Sequence, residues 1–286
     1  MSTTTTTTTT NNIAGPIAVG DVELYVDQRG SGPDVLLIAG LSDPAEAWTF
    51  QLDGLADQYR MTAFDNRGAG RSPMPPQSWS VAGMADDAAE VLRALGIDRA
   101  HVCGFSGGSC TAQELALRHP ERVRSLVLVS TWARSDVFLR AMTSAWTWLP
   151  AAAPSERAML EAFFTWIYTP RAHESGMVDA IIEEALAFPY PQSPEAFIRQ
   201  LEAWIPHDTF DRLPEISVPT LVVAGDQDII TSPRYGRIVA DQIPGAEFVV
   251  LEGEAHQPFQ ESPKAFNQMV ADFWSRTDHP SSHPSV

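Results

Sequence analysis

Cysteine is nearly absent from this 286-residue chain. Only Cys103 and Cys110 occur, with neither a CxxC pair nor Cys/His ligand spacing, which excludes a disulfide framework and a zinc site. Basic residues are scarce too: 19 Lys and Arg stand against 36 Asp and Glu, a formal charge of −17. Such a surface repels phosphate backbones and anionic headgroups, which argues against nucleic acid as a partner; a solvated exterior is the plain use of the excess acid. No apolar run approaches the roughly 20 residues needed to span a bilayer. Met1, Ser2 and the eight Thr that follow lack the basic opening and apolar stretch of a secretory signal. The expectation is a cytoplasmic protein with no membrane segment, no metal and no cofactor. No internal repeat is visible, and nothing in the sequence decides an oligomeric state.

With 44% apolar residues and eight Trp, the chain can bury a sizeable core, so disorder of the whole is excluded. From Val22 to about Thr131, short β-branched runs alternate with amphipathic stretches, the rhythm of a mainly parallel sheet covered by helices. Strands are expected at Val22 to Asp27, Asp34 to Ile38, Arg60 to Phe64, Ala100 to Cys103 and Ser125 to Val129, the first being the most edge-like. Val81, Met84, Ala85, Ala88, Leu92 and Leu95 share one helical face, with Ser80 as N-cap and Gly96 past the end. After Thr131 the rhythm stops until about Leu213, and this segment reads as helices between Pro-bearing turns. It resumes with strands at Pro219 to Ala224 and Glu247 to Leu251. Ser232 and Pro233 start the helix between them, and Ser262 and Pro263 cap and open a final helix.

One motif carries chemistry. Gly104-Phe105-Ser106-Gly107-Gly108 matches G-x-S-x-G between an apolar strand and a helix. The turn forces the serine into a strained conformation at the strand tip, and Gly104 and Gly108 make room where a Cβ would collide with backbone. Ser106 would stand exposed above the sheet, with the Gly107 N–H at the helix start aimed at a developing oxyanion. The two thiols nearby read as packing residues.

A serine hydroxyl needs an imidazole to take its proton. Of seven histidines, only His256 directly follows a strand, in the loop before the last helix. Loops at the carboxyl ends of parallel strands share one rim, so His256 and Ser106 can converge. An acid between them in the chain comes from Asp226 or Asp228; Asp228, further out in the loop, is the favoured one, to orient the imidazole. The second oxyanion donor falls in the loop Ala39-Gly40-Leu41, with the Leu41 N–H as candidate.

These residues resemble the α/β-hydrolase superfamily from about Val22 to Trp274. Phe64 to Ser72 looks like the family's D-x-R-G-x-G-x-S loop, Gly225 to Asp228 is similar to its G-x-x-D acid turn, and His256-Gln257-Pro258 with Glu261-Ser262-Pro263 resembles its closing segment. The resemblance implies a mostly parallel eight-stranded sheet flanked by helices with an inserted helical cap, and it also puts the acid at Asp228. The expected layout is an unstructured stretch 1–15, a core of 16–131 and 214–276, a cap of 132–213 and a tail of 277–286. Within the superfamily the chain looks closest to small serine esterases, enol-lactone hydrolases and proteins labelled cofactor-free haloperoxidases. It departs from their usual pattern at Ala39-Gly40, where His-Gly is common, and at Gly107, where Met or Gln is common, which implies a roomier pocket.

The inserted segment is rich in aromatics, and Phe105, Trp132, Trp146 and Trp166 are the candidates to line a substrate cavity above Ser106. No basic cluster awaits an anion, so the expected substrate is a small hydrophobic ester or lactone, opened through an acyl-enzyme. Two other readings use the same residues: a lyase of the hydroxynitrile-lyase kind, and a ligand-binding receptor with an idle triad.

Overall fold

The structure, a computed structural model, describes residues 12–279. β1 (Ile13–Val19) and β2 (Val22–Gly30) form a hairpin, β3 (Asp34–Ile38) follows, and a short turn leads into α1 (Thr49–Gly54). β4 (Arg60–Phe64), α2 (Val81–Ala94), β5 (Ala100–Phe105), α3 (Gly107–Arg118) and β6 (Val123–Val129) then alternate. A strand-free run of helices comes next: α4 (Val137–Trp146), α5 (Leu149–Ala152), α6 (Glu156–Ile167), α7 (Pro170–Glu174), α8 (Met177–Ala187) and α9 (Pro194–Trp204). β7 (Thr220–Gly225), α10 (Pro233–Gln242), β8 (Glu247–Leu251), α11 (Pro258–Glu261) and α12 (Pro263–Asp278) complete the chain.

The eight strands make one sheet in the order β1-β2-β4-β3-β5-β6-β7-β8. Only β2 runs against the others, antiparallel to both β1 and β4. Strand order reverses between β3 and β5, which pair directly with Ile38 opposite Gly104. The two loops leaving these strands therefore lie side by side at the carboxyl rim, the place where open α/β sheets bind ligands.

Alternate residues of the central strands bury into opposite faces, as the strand period requires. Leu36, Ile38, Leu126, Leu128 and Val222 pack under α2, α3 and α10 with Leu92, Leu115 and Val239. Val35, Leu37, Val127, Val129 and Val223 pack against α1 and α12 with Leu52, Phe266, Val270 and Trp274. The helices α4 to α9 have an apolar cluster of their own around Trp146, Ile167, Phe197 and Leu201, which also takes in Ile230 and Tyr235 beside α10. An isolated bridge between Arg134 and Asp208, with an Arg134–Asp208 ion pair of 2.6 Å, joins the two ends of this helical run.

Four expectations need correction. A strand begins at Ile13, inside the stretch 1–15 read as unstructured, and it pairs along β2, so β1 and not β2 is the edge; residues 1–11 lie outside those described. Gly15, at φ 158°, and Pro16 within it hid this strand, because both residues ordinarily weaken a strand reading. At the other end α12 continues to Asp278, into the stretch 277–286 read as tail, because Asp278 accepts from Arg124 at 2.8 Å and lies beside buried His101; residues 280–286 are outside the description. Ser262 precedes α12 but does not cap it: its hydroxyl donates to Glu254 at 2.5 Å. Ser80 does cap α2, accepting from the Gly83 N–H.

Candidate active site

Ser106 sits between the end of β5 and the start of α3 at φ 51°, ψ −123°, outside the ordinary regions for a residue with a side chain. Its N–H donates to Val129 O at 2.9 Å. A Cβ on Gly104 would stand 2.4 Å from Gly108 O, and one on Gly108 would stand 2.3 Å from Ile38 O. Both glycines are needed because backbone occupies the space. Among the described residues, the other two non-glycine residues at positive φ are also serines on this rim: Ser42 at 68° after β3 and Ser130 at 52° after β6. Strain is thus gathered at the ends of three adjacent strands.

The structure brings Ser106, His256 and Asp228 into one chain of hydrogen bonds. His256 Nε2 lies 2.9 Å from Ser106 Oγ, and His256 Nδ1 lies 2.8 Å from Asp228 Oδ2. The histidine backbone is pinned at both ends of its peptide, its N–H donating to Ile167 O at 3.0 Å and its carbonyl accepting from Ser130 Oγ at 2.7 Å. Asp228 Oδ1 accepts from the Ile230 and Thr231 N–H groups, and Oδ2 accepts also from Thr231 Oγ1 at 2.9 Å. Burial alone would push this carboxyl up, but the facing imidazole and these donors hold it below the ordinary carboxylate range. Asp226 points elsewhere and accepts from the Gly253 N–H at 2.8 Å.

Leu41 and Gly107 both border a cavity at Ser106, and neither backbone N–H donates to another group among the described residues. The remaining walls include Trp132, Leu139, Trp146, Leu201, Trp204 and Ile230. None of the lining residues is charged, and the cavity measures about 30 Å³, room for about two water molecules.

Trp132 and Trp146 are on this cavity, whereas Phe105 and Trp166 are not among its lining residues. Phe105 packs edge-on to His256 and Phe259 at 5.0 and 4.9 Å, because side chains alternate along a strand and the residue before Ser106 points to the other side of the strand tip. Trp166 stands behind Trp146, ring centroids 5.7 Å apart. The expected roominess at Gly107 is also corrected. A Cβ there would lie 2.5 Å from Cδ2 and Cε2 of Trp204, so the indole has taken the space that the missing side chain leaves.

The sequence reading missed three groups. Trp204 was one aromatic among many, and only the packed position of α9 puts it on the elbow. Thr231 carries no motif. Asp43, two residues beyond Leu41, accepts from Gln257 Nε2 at 3.1 Å, and its carboxyl is pushed up to about 7 by burial, against the opposing pull of nearby His256 and the Gln257 bond. A carboxylate two residues beyond a candidate oxyanion donor was the available signal.

A parallel sheet with a strained serine turn at its switch point and an imidazole hydrogen-bonded to that serine defines a protein of the hydrolase-fold class. The chain belongs to the α/β-hydrolase family: the model described as alpha/beta hydrolase fold matches residues 33–263. Among curated proteins it is similar to RutD of Azorhizobium caulinodans, named for carbamate hydrolysis, with 33% identity over 91% of this chain and 97% of that one. Among solved structures it resembles the enol-lactonase of Burkholderia xenovorans LB400, at 26% identity and TM-score 0.82 over 91% of this chain and 99% of that one. It also resembles a thermophilic esterase of Thermogutta terrifontis, at 25% identity and TM-score 0.80 over 94% and 98%. No helix among the described residues is long and apolar enough to cross a membrane.

Proposed function

We propose that the protein is a serine hydrolase that cleaves a small, uncharged carboxylic ester or lactone through an acyl-enzyme. The observation that carries this reading is the continuous Ser106–His256–Asp228 hydrogen-bonded chain beside two unpartnered N–H groups. Ser106 Oγ attacks the carbonyl carbon while its proton passes to His256 Nε2, and the oxyanion is held by the Leu41 and Gly107 N–H groups. Asp228 keeps Nδ1 protonated and stabilises the imidazolium. Collapse expels the alkoxide, which takes the proton from Nε2. Water then attacks the acyl-enzyme by the same route and restores Ser106. The helices α4 to α9 serve as the cap over this site, and their apolar, uncharged walls suit a neutral acyl group of few atoms.

A carbamate ester is a second reading, favoured by the name of the Azorhizobium relative and by the small cavity, since a carbamoyl group is compact. It uses identical steps.

The test is an assay of short p-nitrophenyl esters with wild-type protein and Ser106→Ala. An acid and an alcohol are expected as products, with kcat reduced about 10⁴-fold or more in the variant. A lyase would leave these esters uncleaved, and a receptor would bind without turnover; either result, or full activity in Ser106→Ala, sinks the proposal.

A further inference from the structure

A tetrahedral intermediate on Ser106 has four bonds to place. One is to Oγ, the oxyanion points to the Leu41 and Gly107 N–H groups, and the leaving oxygen faces His256 Nε2, which returns the proton. The acyl carbon takes the direction that remains. The cavity is bordered by Ser106, Leu41 and Gly107 but not by His256, although Nε2 lies 2.9 Å from Ser106 Oγ. It therefore receives the acyl arm, and the alcohol arm departs on the imidazole side.

Within this cavity Trp204 is the wall that meets the elbow itself. Three carbons of its indole, Cδ2, Cε2 and Cε3, lie 2.5, 2.5 and 2.6 Å from where a Cβ on Gly107 would stand. The ring closes against the backbone of the residue that follows the nucleophile. It is also a fixed wall. One turn earlier in α9, Gln200 bonds the Ser42 N–H and Arg67 O, and Arg199 donates to Pro75 O at 3.1 Å, so the helix is tied to the loops after β3 and β4. The indole cannot withdraw without breaking those bonds. The space left is about 30 Å³, enough for a carbonyl and one further group of the size of a methyl or an amino. A longer hydrocarbon acyl chain runs into the ring.

We infer that Trp204 sets the length limit of the acyl arm, so that the site accepts acetyl-sized acyl groups and rejects butyryl, while the alcohol arm is free of that limit. The inference rests on the acyl-enzyme reading above and deepens it, by assigning the cavity to one arm of the substrate and the limit to one residue.

Hydrolysis of p-nitrophenyl acetate and p-nitrophenyl butyrate by wild-type protein and Trp204→Ala tests it. Wild-type kcat/KM is expected to favour acetate by about tenfold or more, the least cost of one misfitting methylene in an apolar pocket, and the variant is expected to lose about tenfold of that ratio. Intrinsic ester reactivity cancels when the ratios of the two proteins are compared. Ethyl acetate and butyl acetate lengthen the alcohol arm alone, and their ratio is expected to agree within about twofold between the two proteins. A general loosening of the cap would move both ratios together. Butyrate cleaved by wild type as readily as acetate, an acyl ratio unchanged in the variant, or an alcohol ratio that shifts as much as the acyl ratio overturns the inference. Should Trp204→Ala not fold, Trp204→Leu is measured in its place with the same outcomes. Failure of the wild type to cleave p-nitrophenyl acetate, or cleavage by Ser106→Ala at the wild-type rate, defeats the acyl-enzyme reading instead, so the two failures are distinct.

Discussion

At the level of single residues, the rim holds two carboxylates in opposite conditions. Asp228 is ionised because an imidazole and three further donors face it, whereas Asp43 has one side-chain donor and a largely but not fully buried carboxyl that keeps its proton up to about 7. In the unfolded chain Asp43 loses that proton near pH 4. The folded state therefore binds more protons across this window, and stability falls as pH rises from about 4 to about 7. Asp43→Asn, which can still accept from Gln257, is expected to gain about 2 kcal/mol over wild type at pH 8 and almost nothing at pH 4. That figure is below the full linkage value because the side chain is in part open to solvent. Urea unfolding at the two pH values measures it, and an equal difference at both would contradict the assigned burial.

Among the elements, α9 does most to shape the site. It carries Trp204 onto the elbow, and one turn earlier Gln200, fully buried, whose Oε1 accepts from the Ser42 N–H at 3.2 Å and whose Nε2 donates to Arg67 O at 3.0 Å. The helix thereby holds the β3 loop that presents Leu41, and Ser42 in that loop is at positive φ. Gln200→Leu keeps the volume and removes both of these bonds, together with the one Oε1 accepts from Gln192 Nε2 at 3.0 Å. It is expected to destabilise the fold by about 1–3 kcal/mol and to lower kcat about tenfold, through a loosened Leu41 N–H. Unfolding free energy and ester kinetics read the two effects separately; a stable variant with normal kcat would mean that the loop holds its shape without α9. None of this was legible beforehand. The helical run was visible from Pro-bearing turns and aromatics, but its side chains meet the rim only through long-range packing.

For the whole molecule the excess of 17 acidic charges sets the balance. The exposed ion pairs, such as Arg134–Asp208 and Arg276–Glu247, contribute about 0–1 kcal/mol apiece and weaken with salt. The acids left without cationic partners repel one another, and screening relieves that repulsion. The repulsion outweighs the pairs here, so raising NaCl from about 0.05 to about 0.5 M is expected to raise Tm by a few degrees. A thermal scan that falls with salt would reverse the ranking.

The strands, the α2 helix with its Ser80 cap, and the Ser106 turn could be read directly because each is dictated within a few residues: by alternation, by helical spacing, by glycines where a Cβ meets backbone. Chain order after the strands also narrowed the imidazole and the acid to positions 256 and 226 or 228, since parallel strands send their loops to one rim. The size of the cavity, the seat of Trp204 on Gly107, and the partners of Gln200, Thr231 and Asp43 belong to tertiary structure alone. They depend on contacts between segments tens to hundreds of residues apart, and no local pattern encodes where such segments meet.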